Sequence, residues 1–276
     1  MKMKSLMRPA FVLSCALAVR TAAASDATIW TVGEPDGRPD GFALAPDGFR
    51  DFLARDFGYE DKFYLVGHSD PSTDFPYVLP GPADTWGGTW PTSGWRTHEV
   101  NILFGLDEQP DDDCLLAVDL ADYAKRFPPL VKVSVNGQDA WFRLNDPDDP
   151  TAAGRRYGQQ EPTVDTLSLT GRFERATPRR LEMPLRRGTL RKGGNTVHVT
   201  VLEGSWILFD RVALEGPSSV RPTQSEGLFV RDVAAAPYES DHDGKRVQPL
   251  LVDVEWLGAT PTLSVEIDGR ELFNRR

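Results

Sequence analysis

The sequence predicts an all-β protein: an antiparallel jelly-roll β-sandwich followed by the start of a second β unit. Three observations point there. From Leu130 to Glu215, apolar and polar residues alternate at the two-residue period of half-buried strands, as in LVKVSVNG and NTVHVTV. Clusters of Asn, Gly, Asp and Pro separate these runs, and no long amphipathic pattern interrupts them. Asn136-Gly137, set between Val131, Val133, Val135 and the returning Trp141, Phe142, Leu144, is a strong signal for a tight hairpin.

In chain order, Lys2, Lys4 and Arg8 surround or precede a short apolar run, Pro9 to Val19, and Ala22-Ala23-Ala24 supplies an A-x-A cleavage pattern. Residues 1–24 therefore read as a secretory signal, with a secreted or periplasmic destination. The alternative lipoprotein reading, through Val12-Leu13-Ser14-Cys15, leaves a very short apolar stretch before the cysteine. The run is too short to span a bilayer. Ala27 to Val32 is the first strand, and Glu34 to Gly41 a loop dense in turn formers. Asp47 is placed to cap a short helix with Phe49, Phe52 and Leu53 on one face. Phe63 to Val66 is a strand, and Ser69 to Thr97 a long Pro- and Gly-rich loop. Strands resume at Val100 to Leu106, where Val100, Ile102, Phe104 and Leu106 alternate, and at Cys114 to Leu120, an apolar run expected to be central. Asn145 to Gly158 is a polar loop; Leu181 to Leu185, Thr196 to Leu202 and Trp206 to Leu214 complete the sandwich, taken as residues 26–216.

Residues 217–224 read as a linker, and 225–276 as an incomplete second β unit. In that unit Leu228 to Val233, Leu250 to Trp256 and Thr262 to Ile267 are strands, and the return after Asp268-Gly269 is short. A hairpin alone makes no core, so two expectations stand: the chain is a fragment of a longer product, or the tail docks on the sandwich.

Charge and cysteine usage narrow the function. A net charge of -10, from 41 acidic and 31 basic residues, argues against nucleic acid or an anionic membrane as the partner. The pairs Arg155-Arg156, Arg179-Arg180 and Arg186-Arg187 are either local contacts for uronate carboxylates or solvated surface. Cys15 and Cys114 provide no disulfide framework and no zinc site. The four histidines are widely spaced; His198, between Val197 and Val199, should face away from them. No nucleophile elbow or phosphate-binding loop is present, and no catalytic residue is identified.

The strands, taken in order, resemble a known domain. Ile29-Trp30-Thr31-Val32-Gly33 with Asp36-Gly37 and Asp40-Gly41-Phe42, then Phe104 to Leu106, Leu115 to Leu120, Lys132 to Gly137, Gly193 to Val197 and Trp206 to Glu215, are similar to the C-terminal carbohydrate-binding-like domain of rhamnogalacturonan lyases, polysaccharide lyase family 4. The resemblance covers roughly Ala27 to Gly216 and implies a galactose-binding-like jelly roll that assists pectin recognition. In those lyases the catalytic residues lie on a separate domain, so lyase or glycosidase activity would need a domain not seen in this chain. The expectation is a non-catalytic polysaccharide- or oligosaccharide-binding domain with a catalytic partner domain; the alternatives are the N-terminal fragment of a larger lyase or glycoside hydrolase, and a structural spacer.

Sugar rings need flat aromatic faces and planar polar groups. Three of the seven Trp residues, Trp86, Trp90 and Trp95, fall in the long loop, with Asp84, Arg96 and Tyr157 as polar candidates. The same Trp residues would serve equally as a plug at the end of the sandwich. Glu34, Asp36 and Asp40 offer oxygen ligands for a structural calcium, at a spacing that matches no defined calcium loop. No other cofactor is called for.

Overall fold

The structure, a computed structural model, describes residues 27–57, 62–88, 97–145, 167–223, 227–267 and 269–275. The segment read as a signal lies outside them, as does most of the polar loop after Asn145. Ten strands make the body of the fold: β1 (Ala27–Gly33), β2 (Tyr64–Leu65), β3 (Val78–Leu79), β4 (Glu99–Leu106), β5 (Cys114–Tyr123), β6 (Leu130–Val135), β7 (Gln138–Arg143), β8 (Arg179–Leu185), β9 (Gly193–Glu203) and β10 (Ile207–Gly216). A short β11 (Pro222–Thr223) follows.

The first sheet has the order β1-β10-β5-β8, with β3 added to β10; the second has the order β11-β4-β9-β6-β7, with β2 running parallel to β4. The chain changes sheet between β4 and β5, β5 and β6, β7 and β8, β8 and β9, and β9 and β10, so the two sheets face each other as a sandwich. Alternation explains the core. Val32, Leu116, Val118, Leu181, Val212 and Leu214 from the first sheet share one buried cluster with Ile102, Phe104, Val131, Val133, Val197 and Val199 from the second. β5 is interior to its sheet, as its apolar density implied.

The hairpin forms as the sequence predicts. Asn136 and Gly137 both take positive φ, 50° and 84°, and Val135 pairs with Gln138. That is the geometry of a two-residue turn matched to strand twist. The helix expected after Asp47 is a single 3-10 turn, Gly48–Asp51, and Asp47 makes no side-chain cap. Its backbone (φ -142°, ψ 3°) is not the extended form a capping residue needs, and Gly48 N donates to Leu44 O instead. Phe49 and Phe52 are nevertheless buried.

The stretch read as a linker is fastened down. Val220 joins the core, Pro222 and Thr223 pair with Leu106 and Gly105, and Arg221 N donates to Asp107 Oδ1 at 2.8 Å. Beyond it come β12 (Leu228–Ala235), β13 (Ser240–His242), β14 (Lys245–Val247), β15 (Leu250–Trp256), β16 (Leu263–Ile267) and β17 (Arg270–Arg275), in three two-stranded antiparallel sheets. This tail docks on the outer face of the second sheet. Phe229 is buried with Phe63, Leu65 and Leu103, and Leu257 packs against them. Gly194 admits it: a Cβ there would lie 2.5 Å from Val230 O and 3.0 Å from the Phe229 ring. Among the described residues, no helix is long and apolar enough to cross a membrane.

Candidate functional site

The residues proposed in the long loop separate into two groups. Trp86 is half-buried against the core, its ring edge-on to Phe49 with centroids 5.1 Å apart. Its 3-10 turn, Thr85–Gly87, is locked below by Asp84, which is 3% exposed and accepts from Gly81 N at 2.8 Å and Ser205 Oγ at 2.5 Å. Both residues are engaged in holding the loop to the sandwich. Trp90, Trp95, Arg96 and Tyr157 lie outside the described residues.

The residues proposed for calcium do not converge. Asp36 Oδ1 accepts from Arg38 N at 2.8 Å, and Asp40 Oδ2 pairs with Arg38 Nε at 3.1 Å. The Asp36 and Asp40 carboxylates turn back on their own loop, and among the described residues no three of His, Cys, Asp and Glu gather as a metal site. The loop does form a cleft of about 270 Å³, lined by Glu34, Asp36, Arg38, Phe42 and Asp210. Asp210, 6% exposed, accepts from Gly37 N at 2.9 Å and Arg38 N at 3.1 Å. Burial outweighs these bonds and pushes its carboxyl up to about 6.

The surface best suited to a ligand is elsewhere, on the outer face of the second sheet. Val131, Val133 and Val135 of β6 point into the core, so Lys132 and Ser134 point out; Val197, Val199 and Val201 do the same for His198 and Thr200 on β9. Register then builds two rows across β7, β6, β9 and β4. One row is Trp141, Lys132, Thr200 and Glu99; the other is Asp139, Ser134, His198 and Asn101. Three strand spacings separate the ends, about 14 Å. Trp141 is 58% exposed, and among the described residues it is the one strongly exposed aromatic of the sandwich. Single exposed apolar residues are ordinary; an indole at the end of a polar row on a sheet face is a different arrangement.

The rows are internally wired. His198 Nδ1 faces Glu99 Oε1 at 2.8 Å and Asn101 Oδ1 at 2.6 Å, two acceptors, which assigns the hydrogen to Nδ1. Thr200 Oγ1 donates to Glu99 Oε2 at 3.1 Å. These bonds, the His198 one foremost, hold the Glu99 carboxyl below the usual carboxylate range. The Ser134 hydroxyl does the same for Asp139, helped by Lys132 Nζ at 3.2 Å. Glu99 and Asp139 stand at opposite ends of the rows, separated by about three strand spacings or 14 Å. Ser134, Thr200 and Asn101 are buried within the rows, and the groups that reach solvent are the Trp141 ring, Lys132, Asp139, His198 and Glu99.

Residues 28–214 match the family described as CBM-like, polysaccharide lyase family 4, domain III. The chain belongs to that family. The match reaches both sheets of the sandwich and includes β4, β6, β7 and β9, the strands that carry the Trp141 rows of this CBM-like domain. No curated protein matches the chain. Among solved structures it is similar to the CBM35 from Cellvibrio japonicus Abf62, with 14% identity over 45% of this chain and 70% of that one and a TM-score of 0.27. It is also similar to a ruminal GH26 endo-beta-1,4-mannanase, with 13% identity over 68% of this chain and 26% of that one and a TM-score of 0.29. A cycloalternan-forming enzyme from Listeria monocytogenes gives 16% identity over 55% of this chain and 10% of that one, with a TM-score of 0.28. The chain thus spans a minor part of the enzymes it resembles.

The sequence signal for the Trp141 face was present. With Asn136-Gly137 as a two-residue turn, pairing runs 135 with 138, 134 with 139 and 132 with 141, which puts Trp141 on the side opposite the valines. Its partners on β9 and β4 needed the tertiary fold.

Proposed function

We propose that this chain is a secreted, non-catalytic glycan-binding module that serves a polysaccharide-degrading catalytic domain, with the outer face of the second sheet as its binding surface. The observation that carries the reading is the exposed indole of Trp141 standing at the end of rows of hydroxyl, imidazole and carboxylate groups. A sugar ring stacks its C–H face on the indole, and its hydroxyls meet the solvent-reaching groups of the rows, Lys132, Asp139, His198 and Glu99. The family's description links it to a polysaccharide lyase, so pectins, rhamnogalacturonan among them, head the polymers to try.

Affinity electrophoresis of the full chain against rhamnogalacturonan, other pectins and xylan tests the reading. Retardation by at least one polymer is expected, and Trp141→Ala should weaken it by about tenfold or more, near 1.4 kcal/mol. Trp141 lies mostly in solvent, so the variant should keep its circular dichroism and melting temperature. Unchanged retardation in the variant would sink this face as the binding surface.

A further inference from the structure

Charge on this face is distributed unevenly between donors and acceptors. Among the described residues, every cation along the rows is already paired. Lys132 Nζ lies 3.2 Å from Asp139 Oδ2, and beside the rows Arg143 Nη2 lies 2.6 Å from Glu203 Oε2. His198 gives its Nδ1 hydrogen to Glu99 and Asn101. The next cation past β4, Lys62, precedes Tyr64, which packs into the core, and its ammonium sits over the Phe57 ring at 5.2 Å. The carboxylates Glu99, Asp139 and Glu203 outnumber Lys132 and Arg143. Glu99 is both half-buried and held ionised by His198 and Thr200.

A carboxylate accepts hydrogen bonds and donates none, so a sugar hydroxyl suits it and a second carboxylate does not. A uronate unit would have to displace Asp139 from Lys132 or Glu203 from Arg143, and the displaced carboxylate would stay beside it, where like charges repel. We infer that this face takes an uncharged, hydroxyl-rich stretch of glycan and discriminates against uronate units. The inference rests on the Trp141 face being the binding surface, and it divides any polymer of mixed composition: neutral stretches bind and acidic ones are passed over.

Methyl-esterification removes charge from a uronan while keeping its backbone, which makes it the direct test. The full chain is run against polygalacturonate, the same polymer fully methyl-esterified, and a neutral galactan, at low ionic strength. The methyl ester and the galactan should each bind about tenfold more tightly than polygalacturonate, and added salt should narrow the gap by screening. Asp139→Asn, which releases Lys132, should raise affinity for polygalacturonate, with circular dichroism confirming the fold. If polygalacturonate binds as well as its ester or better, and Trp141→Ala abolishes that binding, the charge inference is overturned while the binding surface stands. If no polymer binds, or if Trp141→Ala changes nothing, the surface itself is overturned and the inference goes with it.

Discussion

Asp210 is the residue at which pH reaches the fold. Its carboxyl is buried beside the loop after β1 and is raised from 3.8 to about 6. Between those values the folded chain binds more protons than the unfolded one, so stability is highest below the lower value and is lost as pH rises through the upper one. The loss should be on the order of 3 kcal/mol, at 1.36 kcal/mol per unit. Denaturant melts from pH 4 to 7 should show it, and Asp210→Asn, whose amide oxygen still accepts from Gly37 and Arg38, should flatten that part of the profile. Asp84 is a different case. It fastens Gly81 and Ser205 from within, so Asp84→Ala should cost about 2–3 kcal/mol of stability and leave glycan affinity unchanged, read by melting and by gel retardation in parallel. The sequence marked Asp84 and Trp86 as polar and aromatic groups of one loop, correctly as neighbours. Which way they turn depended on Ser205 and Phe49, far away in the chain. His198 was legible from its two flanking valines, since strand alternation is a local rule; its partners Glu99 and Asn101 were not.

Among elements, β12 is the one whose role the sequence left open. Its Phe229 enters a small apolar site of Phe63, Leu65 and Leu103 on the outer face of the sandwich, two residues along β4 from Asn101. Arg191 Nη2 also donates to Arg231 O at 3.1 Å. Docking the tail there covers the Leu103 part of the sheet; Trp141 stays exposed, while Asn101, Ser134 and Thr200 of the rows are buried. Phe229→Ala should loosen the tail by about 3 kcal/mol or more, the cost of emptying a buried aromatic site. Limited proteolysis should then cut within 227–275 faster, while the sandwich stays resistant. The strands themselves were readable: β4, β5, β6, β8, β9 and β10 all fall where alternation or apolar density put them. In the segment read as a linker, Gly, Pro and Ser composition reports turn chemistry alone. It carries no sign that Thr223 lies over Gly105, a position where the second sheet offers no side chain in its way.

At the scale of the whole molecule, both sheets of the sandwich share one apolar cluster, whereas the tail meets it through a small separate one. Calorimetry should therefore resolve two transitions, with the tail, rich in exposed Val, Leu and Trp256, melting first and the sandwich second. A single transition lost as a unit in Phe229→Ala would contradict this. The sequence by itself determined the strand periodicity, the hairpin register at Asn136-Gly137 and the membership in a carbohydrate-binding-like family, because these are set by local alternation, turn stereochemistry and ordered short motifs. Only the tertiary structure decided that Asp84 and Trp86 serve the core, that Glu34, Asp36 and Asp40 part company, and that Trp141, Lys132, His198 and Glu99 share a face. Those outcomes depend on which distant strands become neighbours, and strand pairing is fixed by burying a common core, not by anything written within a single strand.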